Sequence, residues 1–595
     1  MTAVLLRRET EFGLLTALEF LLTDMRWKYK EIDDELILEQ SRNLKIPYLH
    51  SRILLNRGLV SDEEIGIFFD CQLTENSDPF ILSDMAQAVA RVEEAICRKE
   101  KVLIYGDYDV DGITAASTLF LFLRPYLPEI DYYIPDRESE GYGLSNNGID
   151  YAKDNGVNLI ITCDCGISAI KEVDYAKSLD IDIIVTDHHK PAESLPDAVA
   201  VINPKREDDE YPYKELCGAG VAFKLLQAFS IKQNLPPNEA EQYLDLVAIG
   251  TAADIVPVVG ENRWFMKKGL NIVNNNPRLG LRELMKVARL SQKELSVTEI
   301  VFIIAPRMNA VGRLGEASRA VKLLTTDDLS LAQEYATILD EENLRRRDIE
   351  KLVMDEALIH IQHKYGDKIP PVLVLADDEW HTGVIGIVSS KLKERFHRPV
   401  ILIAVTDGIG KGSGRSITGF DLYQALLTSK EHLDTFGGHT MAAGLTIREE
   451  NILEFEQAVN EYAEDIITEE MLEPRLYLEA DVHIAEINRE LLELLDKLRP
   501  FGPGNMRPKF SISNVQPLAA RVLSGGHLKF KVRQDHQVID CIAWNQGESF
   551  EMLMSESQRI DLAFVPQINR WNGQESIQLV VKDIRAHATG ENYEN

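Results

Sequence analysis

The stretch that decides the reading is KVLIYGDYDVDGITAASTLFLFLR, residues 101–124. It opens on an unbroken apolar run, KVLIY, the pattern of a strand buried on both faces. It closes on ITAASTLFLFLR, whose apolar residues run round a helix instead of along one stripe. Between them stand Asp107, Asp109 and Asp111 at alternate positions, followed by Gly112. Carboxylates this close repel one another, so the arrangement needs positive charge beside it. A strand that ends in acids and turns directly into a helix sets those acids at the edge of a sheet where α/β folds bind ligands.

The same pattern repeats down the chain. IDYYIP (130–135), VNLIIT (157–162), IDIIVT (181–186) and AVAVIN (198–203) read as further short buried strands. NNGIDYAKDNG (146–156) and ISAIKEVDYAKSL (167–179) read as the helices between them. Apolar strands alternating with helices predict a parallel sheet covered on both faces. The strand ends again carry ligand-type residues: Asp164 in IITCDCG, then Asp187, His188 and His189 in IIVTDHH, with Asp254 following in GTAADIVP. Each piece has a plain alternative. An acid-rich loop is often a turn or a calcium site, a strand-end histidine is often bonded locally, and Asp254 could be a helix cap. Gathered at one sheet edge, carboxylates and imidazole suit Mn²⁺, Mg²⁺ or Zn²⁺, and the oxygen-rich set favours the first two. Two such cations would offset the acids of the opening motif.

Farther along, residues 215–330 read as mostly helical, and 327–366 as one long polar helix, a connecting element with a solvated face. A second α/β unit begins at PVLVLADD (371–378), passes through GVIGIVSSKLKERF (383–396) and returns at PVILIAV (399–405). From about 508 the pattern changes to five short strands, 509–518, 528–534, 537–544, 559–568 and 576–587, with an Asn572-Gly573 hairpin signal before the last. Five strands in this order suit a small OB-type barrel. The predicted domains are an N-terminal extension at 1–24, a helical segment at 25–95, a catalytic domain at 96–260, a helical region and connecting helix at 261–368, the second α/β domain at 369–470 and the barrel at 471–595.

Length and composition set the outer limits. A chain of 595 residues is too long for one core. Its formal net charge of −32 argues against nucleic acid when taken alone, but bound cations and local basic grooves can reverse the field where it matters. The six cysteines form no C-x-x-C pair, so neither a disulfide framework nor a cysteine zinc site is expected, and Cys163 and Cys165 read as small buried residues of a strand end. There is no run of about 18 uncharged apolar residues to span a membrane. LLTALEFLLT (14–23) is interrupted by Glu19 and followed by no cleavage site. It reads as an amphipathic helix, or else the start is Met25. A reducing, cytoplasmic location is expected.

DYDVDG, DCG, DHH and TAADIVP resemble the motifs of the DHH phosphoesterase superfamily. APRMNAVGRL (305–314), HTGVIGIVSSKL (381–392), GSGRSI (412–417) and FGGHTMAAGL (436–445) resemble its DHHA1-type second domain. RPFGPGNMRPKF (499–510) and the strands after it are similar to the junction and OB domain of the single-strand-specific DNA exonucleases in that superfamily. The resemblance covers roughly residues 40–590. It implies a parallel-sheet DHH domain and a smaller α/β DHHA1 domain joined by a long helix, with a C-terminal OB-type barrel. One departure stands out. Many relatives have a histidine four residues before the second aspartate, where this chain has Tyr105. That leaves the first cation a nitrogen ligand short, with Asp107 or water as the substitute.

The activity implied is metal-dependent 5′→3′ hydrolysis of single-stranded DNA by a two-metal mechanism, with Mn²⁺ or Mg²⁺ as the two ions, in DNA repair and recombination. Carried over residue by residue, Asp109 and Asp164 bind one ion. Asp111, Asp164, His188 and Asp254 bind the other, and Asp164 bridges. His189 faces the phosphate as donor or proton shuttle, and Asp187 orients it. Arg307, Asn309, Arg313, Lys411, Arg415 and His439 lie in stretches suited to phosphate. Arg137, Ser413 and Arg415 are the expected receivers of a 5′-phosphate, with a salt bridge to Glu138 or Glu140 as the plain alternative for Arg137. Phe530, Trp544 and Trp571 are candidates for base stacking or for filling the barrel core. A helicase and a single-strand-binding protein are the expected partners, and no membrane is. Two other readings compete. One is a small-molecule phosphoesterase of the superfamily, which would not need the barrel. The other is a nucleic-acid-binding scaffold with a decayed centre, against which the full set of acids and both histidines stand.

Overall fold

The computed structural model describes residues 25–73, 77–137, 139–366, 368–554, 559–571 and 573–587. The N-terminal extension, Glu138, Asn572 and the side chain of Trp571 lie outside the described residues. The chain forms two compact units. One holds residues 29–340 together with 477–595, and the other holds 341–476 together with the segment up to residue 28.

The first unit is built on five parallel strands: β1 (Val102–Gly106), β2 (Ile130–Tyr133), β3 (Leu159–Cys163), β4 (Asp182–Thr186) and β5 (Ala200–Ile202). Their spatial order is β2-β1-β3-β4-β5. Every residue of β1 and β3 is buried, and alternation sends neighbours to opposite faces. Val102, Ile104, Leu159 and Ile161 pack on one side, against α1 (Val110–Leu123) and α4 (Gly218–Lys232). Leu103, Tyr105, Ile160 and Val185 pack on the other, against α2 (Asn146–Asp154) and α3 (Ile170–Ser178). Burying each of these aliphatic side chains contributes about 1.5–3 kcal/mol. The chain runs from β1 to β2 on one side and from β3 to β4 on the other, so the strand order reverses between β1 and β3. That crevice at the strands' C-terminal ends is where such sheets bind ligands.

Helices complete this unit. They include α5 (Leu244–Ala253), α6 (Gly260–Asn275) and α7 (Ala305–Leu314). Arg263 on α6 is 1% exposed. Its guanidinium donates to the carbonyls of Phe68, Lys497, Leu498, Arg499 and Pro500 at 2.8–3.4 Å. The charge sits on the open carbonyls that end helix Arg489–Lys497 and ties the sheet domain to the junction before the barrel. α8 (Leu329–Tyr365), 37 residues long, carries the chain from this unit into the other.

In the second unit β6 (Leu373–Asp377), helix α9 (Thr382–Phe396), β7 (Val400–Thr406), β8 (Ile409–Arg415), β9 (Leu433–His439) and β10 (Ala442–Arg448) form a sheet in the order β9-β10-β8-β7-β6. Only β6 and β7 run parallel.

The C-terminal strands β11 (Phe510–Leu523), β12 (His527–Gln534), β13 (Gln537–Ala543), β14 (Ile560–Trp571) and β15 (Gln574–Ala586) close into a barrel. Trp571 pairs with Gln574. The barrel core is shared with Leu49, Ile53 and Leu54 of the N-terminal helix Tyr48–Leu55. Phe530 is 1% exposed inside it, so it fills the core and is not a stacking surface. The alternation Lys529-Phe530-Lys531 places the two lysines outward and the ring inward.

Candidate metal centre

The acids of the opening motif stand where β1 turns into α1. Asp109 caps the helix: its Oδ1 accepts from the N–H groups of Asp111 at 2.9 Å and Gly112 at 3.1 Å. Gly112 is required, because a Cβ there would lie 2.6 Å from the Asp107 nitrogen. Asp164 follows β3 in the left-handed conformation, φ 62°, which aspartate tolerates better than most residues. Its amide donates to Thr186 O at 2.9 Å, and the Tyr142 hydroxyl donates to its carbonyl at 3.0 Å. Together these turn the Asp164 carboxylate into the crevice between β1 and β3.

The ligand atoms gather in three overlapping groups, each within 4.8 Å: Asp107, Asp109 and Asp164; Asp111, His188 and Asp254; and Asp164, His188 and His189. His188 Nε2 lies 3.1 Å from Asp164 Oδ1, 3.7 Å from Asp254 Oδ2 and 4.0 Å from Asp111 Oδ2. Asp107 Oδ1, Asp164 Oδ1, Asp254 Oδ2 and both His188 ring nitrogens are buried without a hydrogen-bond partner. Buried polar atoms are normally paired, and these converge on common points. Burial, then the neighbouring acids, hold Asp107 and Asp164 well above the usual carboxylate range. The same causes push Asp254 up to about 8. Burial pushes His188 down to about 4, the neutral form a metal ligand needs. Oxygen-rich groups that strain to shed negative charge fit hard divalent cations.

Tyr105 is not among these groups. It points to the opposite face of β1, where its ring stacks on Tyr133 at 5.3 Å and its hydroxyl donates to Gly143 O at 3.1 Å. Asp107 stands in the group that lacks the histidine.

Asp187 is turned away from the cluster. Its oxygens accept from the N–H groups of Ile167, His188 and His189 at 2.7–3.0 Å and from His189 Nδ1 at 2.8 Å. A carboxylate only accepts, so His189 carries its proton on Nδ1 and keeps Nε2 as the basic atom. Burial works against the charged form of His189, but Asp187, with Asp254 and Asp111 nearby, raises its pKa above the ordinary value.

Four contributors are not marked in the sequence. Gly218 and Ala219 open α4, and their N–H groups donate to Asp111 at 2.6 and 2.9 Å. Asn203, wholly buried, donates to His189 O at 2.9 Å and holds the loop of the two histidines. Tyr142 packs edge-on to His189 as well as holding Asp164. Only the glycine in CGAG and the Gly-flanked tyrosine in EGYGL hinted at close approach.

The expected phosphate receivers divide. The Arg137 guanidinium lies over the Tyr108 ring, 5.2 Å from its centre, and works against the raised pKa of Asp107. Glu140 is occupied by Tyr133, Asp136 and Ser145, and among the described residues Arg137 forms no salt bridge. Arg313 acts on Tyr108 from α7, and Asn309 lies one turn before it on the same face. Arg307 stands on another face of α7. It pairs with Asp340 at 2.8 Å and donates to Ile303 O at 2.7 Å, because two positions from Asn309 is the far side of a helix. In the second unit, Ser413 and Arg415 share one face of β8, with Arg415 Nη1 3.2 Å from Ser413 Oγ. His439 is exposed at the end of β9. In the barrel Trp544 is 52% exposed and packs on His527 at 4.8 Å.

A doubly wound sheet with acid and histidine groups at its switch point, a second α/β domain and a closed barrel define a phosphoesterase of the DHH class. Residues 101–251 match the DHH family N-terminal domain, 370–465 the DHHA1 domain and 478–583 the RecJ OB domain. The chain belongs to the RecJ family. It is 37% identical over 567 residues to the single-stranded-DNA-specific exonuclease RecJ of Bacillus subtilis (strain 168), an alignment covering 95% of this chain and 71% of that one. Its structure is similar to that of RecJ from Thermus thermophilus in complex with Mn²⁺, with a TM-score of 0.81, 29% identity and coverage of 96% and 80% of the two chains. The same protein in complex with Mg²⁺ gives a TM-score of 0.74 at 28% identity, covering 95% and 79%.

Proposed function

We propose that this protein is a metal-dependent exonuclease that hydrolyses the phosphodiester bonds of single-stranded DNA from the 5′ end. The observation that carries the reading is the pair of ligand groups at the sheet's switch point, with Asp164 belonging to one and lying 3.1 Å from His188 of the other. Asp107, Asp109 and Asp164 would hold one Mn²⁺ or Mg²⁺, and Asp111, Asp164, His188 and Asp254 a second. Bound there, such cations neutralise phosphate charge and make water nucleophilic at neutral pH.

The chain's own residues do the rest. Asp187 fixes the ring and tautomer of His189, and His189 Nε2 holds or returns a proton at the reacting phosphate. Asn203 and Asp187 together keep that imidazole from turning. Arg137 waits at the rim for the terminal phosphate, and Asn309 and Arg313 line the same rim. Ser413, Arg415 and His439 supply polar and cationic groups from the DHHA1 domain. Trp544 on the barrel offers a stacking face. No helix of the described residues is long and apolar enough to cross a membrane. A cytoplasmic setting, a helicase to supply single strands, a single-strand-binding protein and a role in repair and recombination go with this reading.

The test of direction is an end-labelled strand. Digestion of 5′-labelled DNA in Mn²⁺ should release label as short product from the first turnover, while 3′-labelled DNA shortens progressively. The reverse pattern would overturn the polarity.

A further inference from the structure

β4 and β5 end side by side. Thr186 pairs with Ile202 in parallel register, and the Asp187 N–H donates to Ile202 O at 3.1 Å. Continued in step, that register brings His189 opposite Lys205. Asn203, wholly buried, joins their backbones. Its amide donates to His189 O at 2.9 Å, and its Oδ1 accepts from the Lys205 N–H at 2.8 Å. Arg206 locks the other flank of the turn. Its guanidinium, 8% exposed with the rest of the residue, donates to Asp84 at 2.7 Å and to Asp208 at 2.6 and 2.9 Å.

Lys205 therefore stands on a turn fixed from both sides, while its own side chain is tied to nothing. It is half-buried, and its ammonium forms no salt bridge and no side-chain hydrogen bond among the described residues. The acids next along the chain are taken, Asp208 by Arg206 and Asp209 by Lys214 at 3.3 Å. The Lys205 charge acts instead on His188 and Asp254 in the crevice. A lysine placed to neutralise one of those acids would touch it. One that stops short of them suits an anion arriving between, since charge-assisted hydrogen bonds to phosphate are the strong ones. Arg137 does not duplicate it. Arg137 follows β2 at the opposite edge of the sheet, and at about 4.8 Å per strand the two parent strands lie about 19 Å apart.

On the exonuclease reading above, we infer that Lys205 is a further catalytic residue, whose ammonium donates to a non-bridging oxygen of the scissile phosphate on the side of the cation that His188 and Asp254 would hold. Such a donor stabilises the charge that gathers on those oxygens as the bond breaks. The test uses the full chain in Mn²⁺, with Lys205→Met and Lys205→Gln. Both variants should melt with the parent and bind Mn²⁺ no more weakly by calorimetric titration. Each should lose about 10- to 100-fold in kcat on single-stranded DNA, the range for a hydrogen bond to a charged group, with KM little changed. The decisive readout is sulfur at either non-bridging position of the scissile phosphate. For one of the two diastereomers, the penalty that sulfur imposes on the parent should shrink by about fivefold or more in the variants, a coupling that only direct contact gives. A parent that digests single strands while the variants match its kcat, keep both sulfur penalties in full, or lose Mn²⁺ affinity would overturn this inference alone. A parent that digests no single strand would overturn the exonuclease reading and this inference together.

Discussion

Gly218 serves two acids at once. Its N–H donates to Asp111 Oδ2 at 2.6 Å, and a Cβ placed on it would stand 2.4 Å from the Asp164 Cβ. The first turn of α4 thus aims its open N–H groups at one carboxylate while leaving room for another. Gly218→Ala should push Asp164 out of place and lower Mn²⁺ affinity by at least about tenfold, measured by calorimetric titration. Unchanged affinity would mean that Asp164 does not need this approach.

The buried acids make metal-free protein sensitive to pH. Asp254 is pushed up to about 8, first by burial and then by Asp111 and Asp109. A raised acid favours folding below the unfolded carboxylate value of about 3.9. That contribution is lost as pH rises through the folded value. Metal-free protein should therefore lose stability between about pH 4 and 8. Bound cations cancel the repulsion, and ligands must be deprotonated to bind them. The rise in Tm on adding Mn²⁺ should be larger at pH 8 than at pH 6. Asp164→Asn, which removes one charge from the cluster, should raise the metal-free Tm and nearly abolish the Mn²⁺ effect. An equal Mn²⁺ effect at both pH values would count against the raised acids.

Arg137 stands at the rim of Asp107 with its guanidinium over Tyr108. Arg137→Ala should slow digestion of 5′-phosphorylated strands about 10- to 100-fold, the range for hydrogen bonds to a charged group. Digestion of 5′-hydroxyl strands should slow much less. Equal slowing of both would place Arg137 elsewhere in the reaction. Arg415→Ala tests the DHHA1 side by the same comparison.

Trp544 is the exposed aromatic residue among the three stacking candidates whose side chain the structure describes. Trp544→Ala should weaken binding of long strands by about 1–3 kcal/mol and spare the shortest substrates. Equal losses on both would point to a role in folding. Removing the whole barrel is a poorer test, because it would also bare Leu49, Ile53 and Leu54.

The sheet and its acids were legible because one pattern repeats: a short, largely apolar run, then acid or histidine within two residues. Periodicity reports that directly for Asp107, Asp164 and Asp187. It cannot report approach between distant segments. Gly218 meets Asp111 across 107 residues of chain, and nothing local marks it. Nor can it report the ion pair of Arg307 with Asp340, 33 residues away on the next long helix. Phe530 was left open between stacking and the core, although Lys529 and Lys531 flank it in the alternation that turns the ring inward.

On the proposed function, the ligand groups at the switch point hold cations that cut single strands. The direct measurement is release of mononucleotides from labelled single-stranded DNA, beside a blunt duplex of the same sequence. Chelator-treated protein and its Asp164→Asn variant are assayed with and without restored Mn²⁺ or Mg²⁺. Release is expected from the single strand alone, only with metal restored, and none from the variant. Release without metal, from the variant, or equally from the duplex would contradict it.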